Sequence, residues 1–161
     1  MTSNASTAFT LPVRVAFTSP EAAALYDGAP APATPVSAGT DLRAAIAEEE
    51  IVLAPGARCK VPTGLRVQPC LPGWAALVCS RSGLGAKDGV TVAQGVGLVD
   101  PDYTGEVIVF LLNTSGEVRR IGRGERVAQL IFLPYAHPDF QVAADLDPTL
   151  RGAGGFGHTG R

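Results

Sequence analysis

Apolar residues along this chain come in short bursts rather than in long periodic stretches. Residues 11–17 alternate, with Val13, Val15 and Phe17 on one face of a predicted strand. Ser19-Pro20-Glu21 then reads as a helix start with Pro at the first position, continued by Ala22, Ala23, Ala24, Leu25 and Tyr26 and ended by Gly28. Residues 29–35, APAPATP, read as extended loop, because alternating Pro leaves no donors for a ladder. From Asp41 onward the apolar runs fall at 51–53, 59–61, 65–67, 74–79, 90–93, 96–99, 106–112, 118–121, 126–133 and 140–143, separated by Gly and Pro. Strands this short and evenly spaced predict a barrel or a jelly-roll-like sandwich. A Gly-rich tail closes the chain, with no internal repeat and no second domain. The expected organisation is a disordered N-terminal segment at 1–10, one β domain at 11–150 and a flexible tail at 151–161.

Composition supports the all-β reading. Of 161 residues, 19 are Gly and 13 are Pro, a punctuation that long helices do not tolerate. A helical bundle or coiled coil is excluded. Charged residues make only 17% and the hydrophobic set 46%, which also sets the chain apart from disordered, highly charged polymers. The net charge of −2 supplies no overall field for holding a nucleic acid, so any bound anion must be held locally. Arg119, Arg120, Arg123 and Arg126 are the one basic cluster, read as a solvated loop and strand edge. Cys59, Cys70 and Cys79 are odd in number and show no CxxC spacing, against a disulfide scaffold or a zinc ribbon. Residues 1–8 lack the basic and apolar regions of a signal peptide, and no apolar run approaches a bilayer span. A soluble cytoplasmic protein with reduced thiols and no membrane partner is expected.

Several segments carry residue types suited to chemistry. Arg81-Ser82-Gly83-Leu84-Gly85 follows the run 74–79. It is either a strand-ending turn or an anion cradle in which a guanidinium, a hydroxyl and Gly-freed N–H groups converge. The GxxxxGK[ST] order of a P-loop is absent. Residues 97–105, GLVDPDYTG, run from an apolar segment into an acidic turn. Asp100-Pro101-Asp102 serves as turn chemistry, and a carboxylate at a strand end is also where a general base is held rigidly. Gln129 interrupts an apolar strand and needs a partner if it faces inward. Asp41 is a turn residue or an outer-shell group for a hard cation. Gly152, Gly154 and Gly157 match GxGxxG, but only four residues follow Gly157, too few for the helix that this fingerprint requires. The tail is either mobile or orders over a nucleotide, since Arg151, Phe156, His158 and Arg161 are types that hold phosphate and stack on a base. His137 and His158 are too isolated for a zinc site or a Ser-His-Asp triad, and no GxSxG occurs.

Taken in order, Ala38-Gly39-Thr40-Asp41-Leu42, Arg81-Ser82-Gly83-Leu84-Gly85, the stretch from Gly97 to Gly105, Gly124-Glu125-Arg126-Val127-Ala128-Gln129-Leu130-Ile131 and RGAGGFGHTG from Arg151 resemble the five motifs of the homotrimeric deoxyuridine triphosphatases (dUTPases). The resemblance covers nearly all of residues 11–161. It implies a β-clip, a jelly-roll-like single domain of short strands with a short helical segment. It also implies a homotrimer with active sites shared between subunits, whose tail covers the nucleotide. Asp100 resembles the base that activates the water attacking the α-phosphorus of dUTP. Asp41 resembles the residue that holds, through water, a Mg²⁺ chelated by the phosphates. Arg81, Ser82, Gly83 and Gln129 resemble phosphate-binding groups.

In the same family uracil is read by main-chain groups of a hairpin, here Gln94, Leu98 and Val99. Tyr103 resembles the aromatic floor under deoxyribose, and Ile108 a pocket wall. From the tail, Phe156 with Gly157 would cover uracil, while Arg151, His158 and Thr159 would reach the phosphates. Many members have Asn at the position of Gln94 and Ser at that of His158. Two other readings stand beside this one. A dCTP deaminase-like β-clip enzyme would show Arg-Ser-Ser in place of Arg81-Ser82-Gly83 and a Glu base in place of Asp100. A non-catalytic nucleotide-sensing β-clip module would have no physical reason to keep Asp100, Tyr103, Gln129, Arg151 and Phe156 together.

Overall fold

The computed structural model describes residues 9–155. Local chemistry sets the first elements. After strand β1 (Val13–Phe17), the Ser19 hydroxyl accepts the Ala22 N–H at 3.1 Å and caps α1 (Pro20–Ala24), with Pro in the first turn. Gly28, at φ +87°, takes the left-handed conformation that lets the chain leave the helix. The remaining strands are β2 (Thr40–Arg43), β3 (Glu50–Leu53), β4 (Arg58–Pro62), β5 (Leu65–Pro69), β6 (Trp74–Cys79), β7 (Val90–Val92), β8 (Gly97–Val99), β9 (Ile108–Asn113), β10 (Arg119–Gly122) and β11 (Arg126–Pro134). A single wide π-helical turn, Gly83–Lys87, follows β6.

All pairings are antiparallel, in a four-stranded sheet β2-β11-β6-β8, a three-stranded sheet β4-β9-β7 and two ribbons, β1-β5 and β3-β10. The fold is all-β and jelly-roll-like, and none of these sheets closes into a barrel. Their inner faces meet in one core, in which Leu42, Leu53, Val61, Leu65, Leu111, Ile121 and Leu130 are fully buried.

Three expectations need correction. The run 140–143 is not a strand: Phe140 and Val142 are fully solvent-exposed, because no described segment offers this stretch a ladder. Strand β2, absent from the apolar runs, forms around Leu42 alone, whose complete burial between polar neighbours outweighs its poor pattern. On β1, Val13 and Phe17 pack on the core while Val15, between them on the same face, is exposed, since a two-stranded ribbon covers little of that face.

One buried hydroxyl ties three of these elements together. The Tyr26 hydroxyl, just past α1, donates to the Thr63 carbonyl at 2.9 Å and accepts the Arg43 N–H of β2 at 2.9 Å. Burial pushes its ionisation above the ordinary phenol value, against the opposing effect of those two hydrogen bonds.

Candidate active site

The four-stranded sheet arranges the first group of candidate residues by register. Gln129 of β11 stands opposite Asp41 of β2 on one side and Cys79 of β6 on the other. Antiparallel partners share a face, so Asp41 and Gln129 project together, away from buried Leu42, Ala128 and Leu130. A bulge at Val127 adds a residue to β11: Arg126 pairs with Arg43 and Ala128 with Leu42. Val127 and Ala128 are consequently both buried, and Arg126 turns out to the face of Asp41. There its Nη1 donates to Asp41 Oδ2 at 3.1 Å, while Arg81 Nε donates to Oδ1 at 2.9 Å and Arg81 Nη1 reaches the Arg126 carbonyl at 3.2 Å.

A hollow of about 380 Å³ opens here, lined by Asp41, Arg81, Ser82, Gly83 and Gln129 together with Gly39. Two guanidinium groups against one carboxylate leave a local cationic excess beside the Ser82 hydroxyl, an arrangement that holds an anion. Gln129 Nε2 donates to the Ser80 carbonyl at 3.0 Å, which orients the amide. Gly39 lies against Gln129: a Cβ there would stand 2.4 Å from Gln129 Oε1, so the amide would have to move. At Gly83 a Cβ would meet nothing within 4 Å, so its backbone is open to a ligand.

Asp41 is mostly buried, its side chain 16% exposed. Its two guanidinium bonds use two of the four lone-pair positions of a carboxylate and leave two for water bound to a cation. Among the described residues no cluster of His, Cys, Asp and Glu could hold a metal by itself. A hard cation here would need most of its ligands from water and phosphate, which suits Mg²⁺, an ion reluctant to dehydrate.

The second group lies around β8 and β9. A hollow of about 250 Å³ is lined by Gln94, Leu98, Val99, Asp100, Tyr103 and Ile108, with Val78, Gly97, Glu106 and Val107 completing it. β8 pairs with β6 through Gly97 and Val78, and a Cβ on Gly97 would stand 3.2 Å from Val78 Cβ. Asp100 directly follows β8 with its side chain exposed, and its carbonyl accepts the Tyr103 N–H at 3.1 Å across the Asp-Pro-Asp turn. The Tyr103 hydroxyl donates to the Glu106 carbonyl at 2.9 Å, laying the ring over Gly105. This is a rigid apolar floor with a carboxylate at its rim.

The two hollows share no residue. β2 and β8 are opposite edges of the sheet, three strand spacings or roughly 14 Å apart. In the second hollow buried Val78 points to the face opposite that of Cys79 and Gln129, while exposed Leu98, paired with Leu77, points to their face. Arg151 lines neither hollow, and its Nε donates to the Gly154 carbonyl at 2.7 Å. Phe156, Gly157, His158 and Thr159 lie outside the described residues.

Sequence reasoning placed Arg126 with the solvated arginines, whereas it pairs with Asp41; only the bulge brings it there. Glu106 and Val78, which also line the second hollow, are not among the site residues expected from the sequence. Gly39 stands in the first motif, two residues before Asp41, but that Gln129 lies against it depends on strand pairing.

Comparison with known proteins follows the same lines. A family model described as dUTPase matches residues 26–160. The deoxyuridine 5'-triphosphate nucleotidohydrolase of Azotobacter vinelandii is 48% identical over 131 residues, covering 81% of this chain and 86% of that one. That of Pseudomonas fluorescens is likewise 48% identical over 131 residues, with the same coverage. In fold, the chain is similar to a Staphylococcus bacteriophage 80alpha dUTPase variant solved with dUpNHpp, with a TM-score of 0.78, 24% identity, and 93% of this chain and 99% of that one covered. It is also similar to the dUTPase of Streptococcus mutans, with a TM-score of 0.64, 26% identity, and coverage of 80% and 98%.

Proposed function

The chain belongs to the dUTPase family, and from that premise we propose that it hydrolyses dUTP to dUMP and pyrophosphate. It is a dUTP diphosphatase, limiting uracil incorporation into DNA and supplying dUMP for thymidylate synthesis. The observation that carries the reading is the pairing of an apolar hollow, floored by Tyr103 with exposed Asp100 at its rim, with a separate guanidinium-lined hollow around Arg81 and Gln129.

In this reading the uracil and sugar occupy the hollow of β8 and β9. Main-chain groups at Gln94, Leu98 and Val99 pair with uracil. Cytosine would present a donor to a donor there and leave buried groups unpaired, an error that discriminates strongly. Ile108 walls the pocket, and the Tyr103 ring leaves no room for a 2′-OH. Asp100 accepts a proton from water as its oxygen bonds to the α-phosphorus. The α–β phosphoanhydride bond breaks, and pyrophosphate leaves.

Arg81, Ser82, the freed backbone of Gly83 and Gln129 hold the phosphates, so most of the catalysis is positioning and charge stabilisation. Mg²⁺, when bound, neutralises phosphate charge, and Asp41 would hold it through water. Arg151, Phe156, Gly157, His158 and Thr159 close over the nucleotide.

Within one chain the two hollows lie at opposite edges of the sheet, three strands apart, and share no residue. In a homotrimer the Asp100 hollow of one copy would face the Arg81 hollow of the next. The reading makes it a cytoplasmic enzyme acting on free nucleotides; separately, no described helix is long and apolar enough to cross a membrane. Pyrophosphate release from dUTP, dTTP, dCTP and UTP in Mg²⁺ tests the proposal: selective release from dUTP is expected. Ammonia from dCTP without pyrophosphate from dUTP would overturn it.

A further inference from the structure

The loop that carries Tyr103 is held from outside the site by four consecutive residues at the start of β5. Thr63 Oγ1 donates to the Val107 carbonyl at 2.6 Å, and the Val107 N–H donates to the Leu65 carbonyl at 2.8 Å. Both bonds anchor residue 107, which is buried. The part before it, exposed Thr104 and half-buried Gly105 and Glu106, is held differently. Arg66 Nε donates to the Thr104 carbonyl at 2.7 Å, and the Glu106 carboxylate accepts the Gly64 N–H at 2.7 Å. Each involves a charged group and is short, which places both among the stronger hydrogen bonds.

Tyr103 depends on this short segment for its position. Its hydroxyl donates to the Glu106 carbonyl, and its ring lies so close to Gly105 that a Cβ there would stand 2.6 Å from the ring. Wherever the backbone of residues 104–106 sits, the ring sits with it.

We propose that Arg66 and Glu106 are positioning residues for sugar selection: they clamp residues 104–106 to β5, fix the height of the Tyr103 ring, and so set the preference for a deoxyribonucleotide over a ribonucleotide. This rests on the reading of Tyr103 as the floor beneath the sugar. Neither side chain touches the reacting atoms. With the clamp released the ring can drop, admitting a 2′-hydroxyl and loosening the hold on deoxyribose.

The test compares Arg66→Met, which keeps the apolar stem and loses the donor, with Glu106→Ala and the conservative Glu106→Gln, which retains an acceptor. The ratio of kcat/KM for dUTP over UTP is expected to fall about tenfold in Arg66→Met and Glu106→Ala, with KM for dUTP rising more than kcat falls. Glu106→Gln is expected to keep most of the wild-type ratio. Amide hydrogen exchange of the peptide spanning residues 103–107, measured without substrate, is expected to speed up in Arg66→Met. An unchanged ratio in both clamp-breaking variants, or unchanged exchange in Arg66→Met, overturns the clamp. If the wild type releases no pyrophosphate from dUTP, the activity reading fails instead, and the exchange measurement still judges the clamp.

Discussion

Gly64→Ala should be among the most damaging single-methyl changes in this chain. Gly64 has φ +68°, in the left-handed region, where a Cβ costs about 1–2 kcal/mol. That Cβ would also stand 2.4 Å from Ala22 Cβ, 3.2 Å from Ala45 Cβ and 3.5 Å from Ala22 Cα. An ordinary contact begins near 3.4 Å, so α1 would have to retreat by about 3.4 − 2.4 = 1.0 Å. Neither neighbour is the far end of a flexible side chain. Retreat pulls on the Thr18 N–H to Gly64 carbonyl bond of 2.9 Å and on the Tyr26 hydroxyl at Thr63. Overpacking of this kind costs about 1–3 kcal/mol, for a total of roughly 2–5 kcal/mol with the backbone strain.

Urea denaturation at fixed protomer concentration measures the loss. The companion Ala22→Gly costs about 1 kcal/mol of helix propensity by itself, but it removes the clashing methyl. The double variant should therefore recover about 1–3 kcal/mol relative to additivity and keep the left-handed strain. Additive behaviour, or a Gly64→Ala loss below about 1 kcal/mol, would refute the steric account.

Three further outcomes follow. Asp100→Asn should retain binding of a non-hydrolysable dUTP analogue by calorimetry while losing turnover at least about a hundredfold, roughly 2.7 kcal/mol of barrier; near-wild-type pyrophosphate release would remove Asp100 from its role. Tyr26→Phe should cost about 1–3 kcal/mol at neutral pH, because it leaves the Thr63 carbonyl and the Arg43 N–H unpaired in the interior. Burial raises the folded-state ionisation of Tyr26, so the unfolded chain deprotonates first. Stability should then decline as pH rises past about 10, and thermal melts should show a shallower alkaline decline in Tyr26→Phe than in wild type. Among the thiols, exposed Cys70 should react first with a thiol reagent at pH 8. Half-buried Cys59, whose ionisation burial pushes up, should lag well behind it.

Much of this protein is written in neighbouring residues. The Ser19 cap, Pro20 in the first turn and the Gly28 exit are decided within a few residues, so α1 and its end are legible directly. The same holds for the Asp-Pro-Asp turn at Asp100 and for most strands, whose bounds the Gly and Pro punctuation marks to within a residue or two. The ordered motifs likewise name the residue types of both hollows, because each motif is a continuous stretch. What escapes is whatever depends on register.

Arg126 looks like one more surface cation until the bulge at Val127 changes the phase of β11 and aims it at Asp41, 85 positions away. Leu42 gives too weak a pattern for a strand, yet β11 and the core bury it completely. The run 140–143 has strand composition but finds no ladder among the described residues, since a strand is stable only when another supplies its backbone partners. Arg66 and Glu106 carry no motif at all; their hold on residues 104–106 and Gly64 exists only because β5 runs alongside the Tyr103 loop. The sequence alone determined turn chemistry, element type and the chemical inventory of the site, because covalent neighbours settle those. Which carboxylate meets which guanidinium, and that the two hollows lie at opposite edges of one sheet, followed only from strand pairing, where a shift of one residue turns every side chain to the other face.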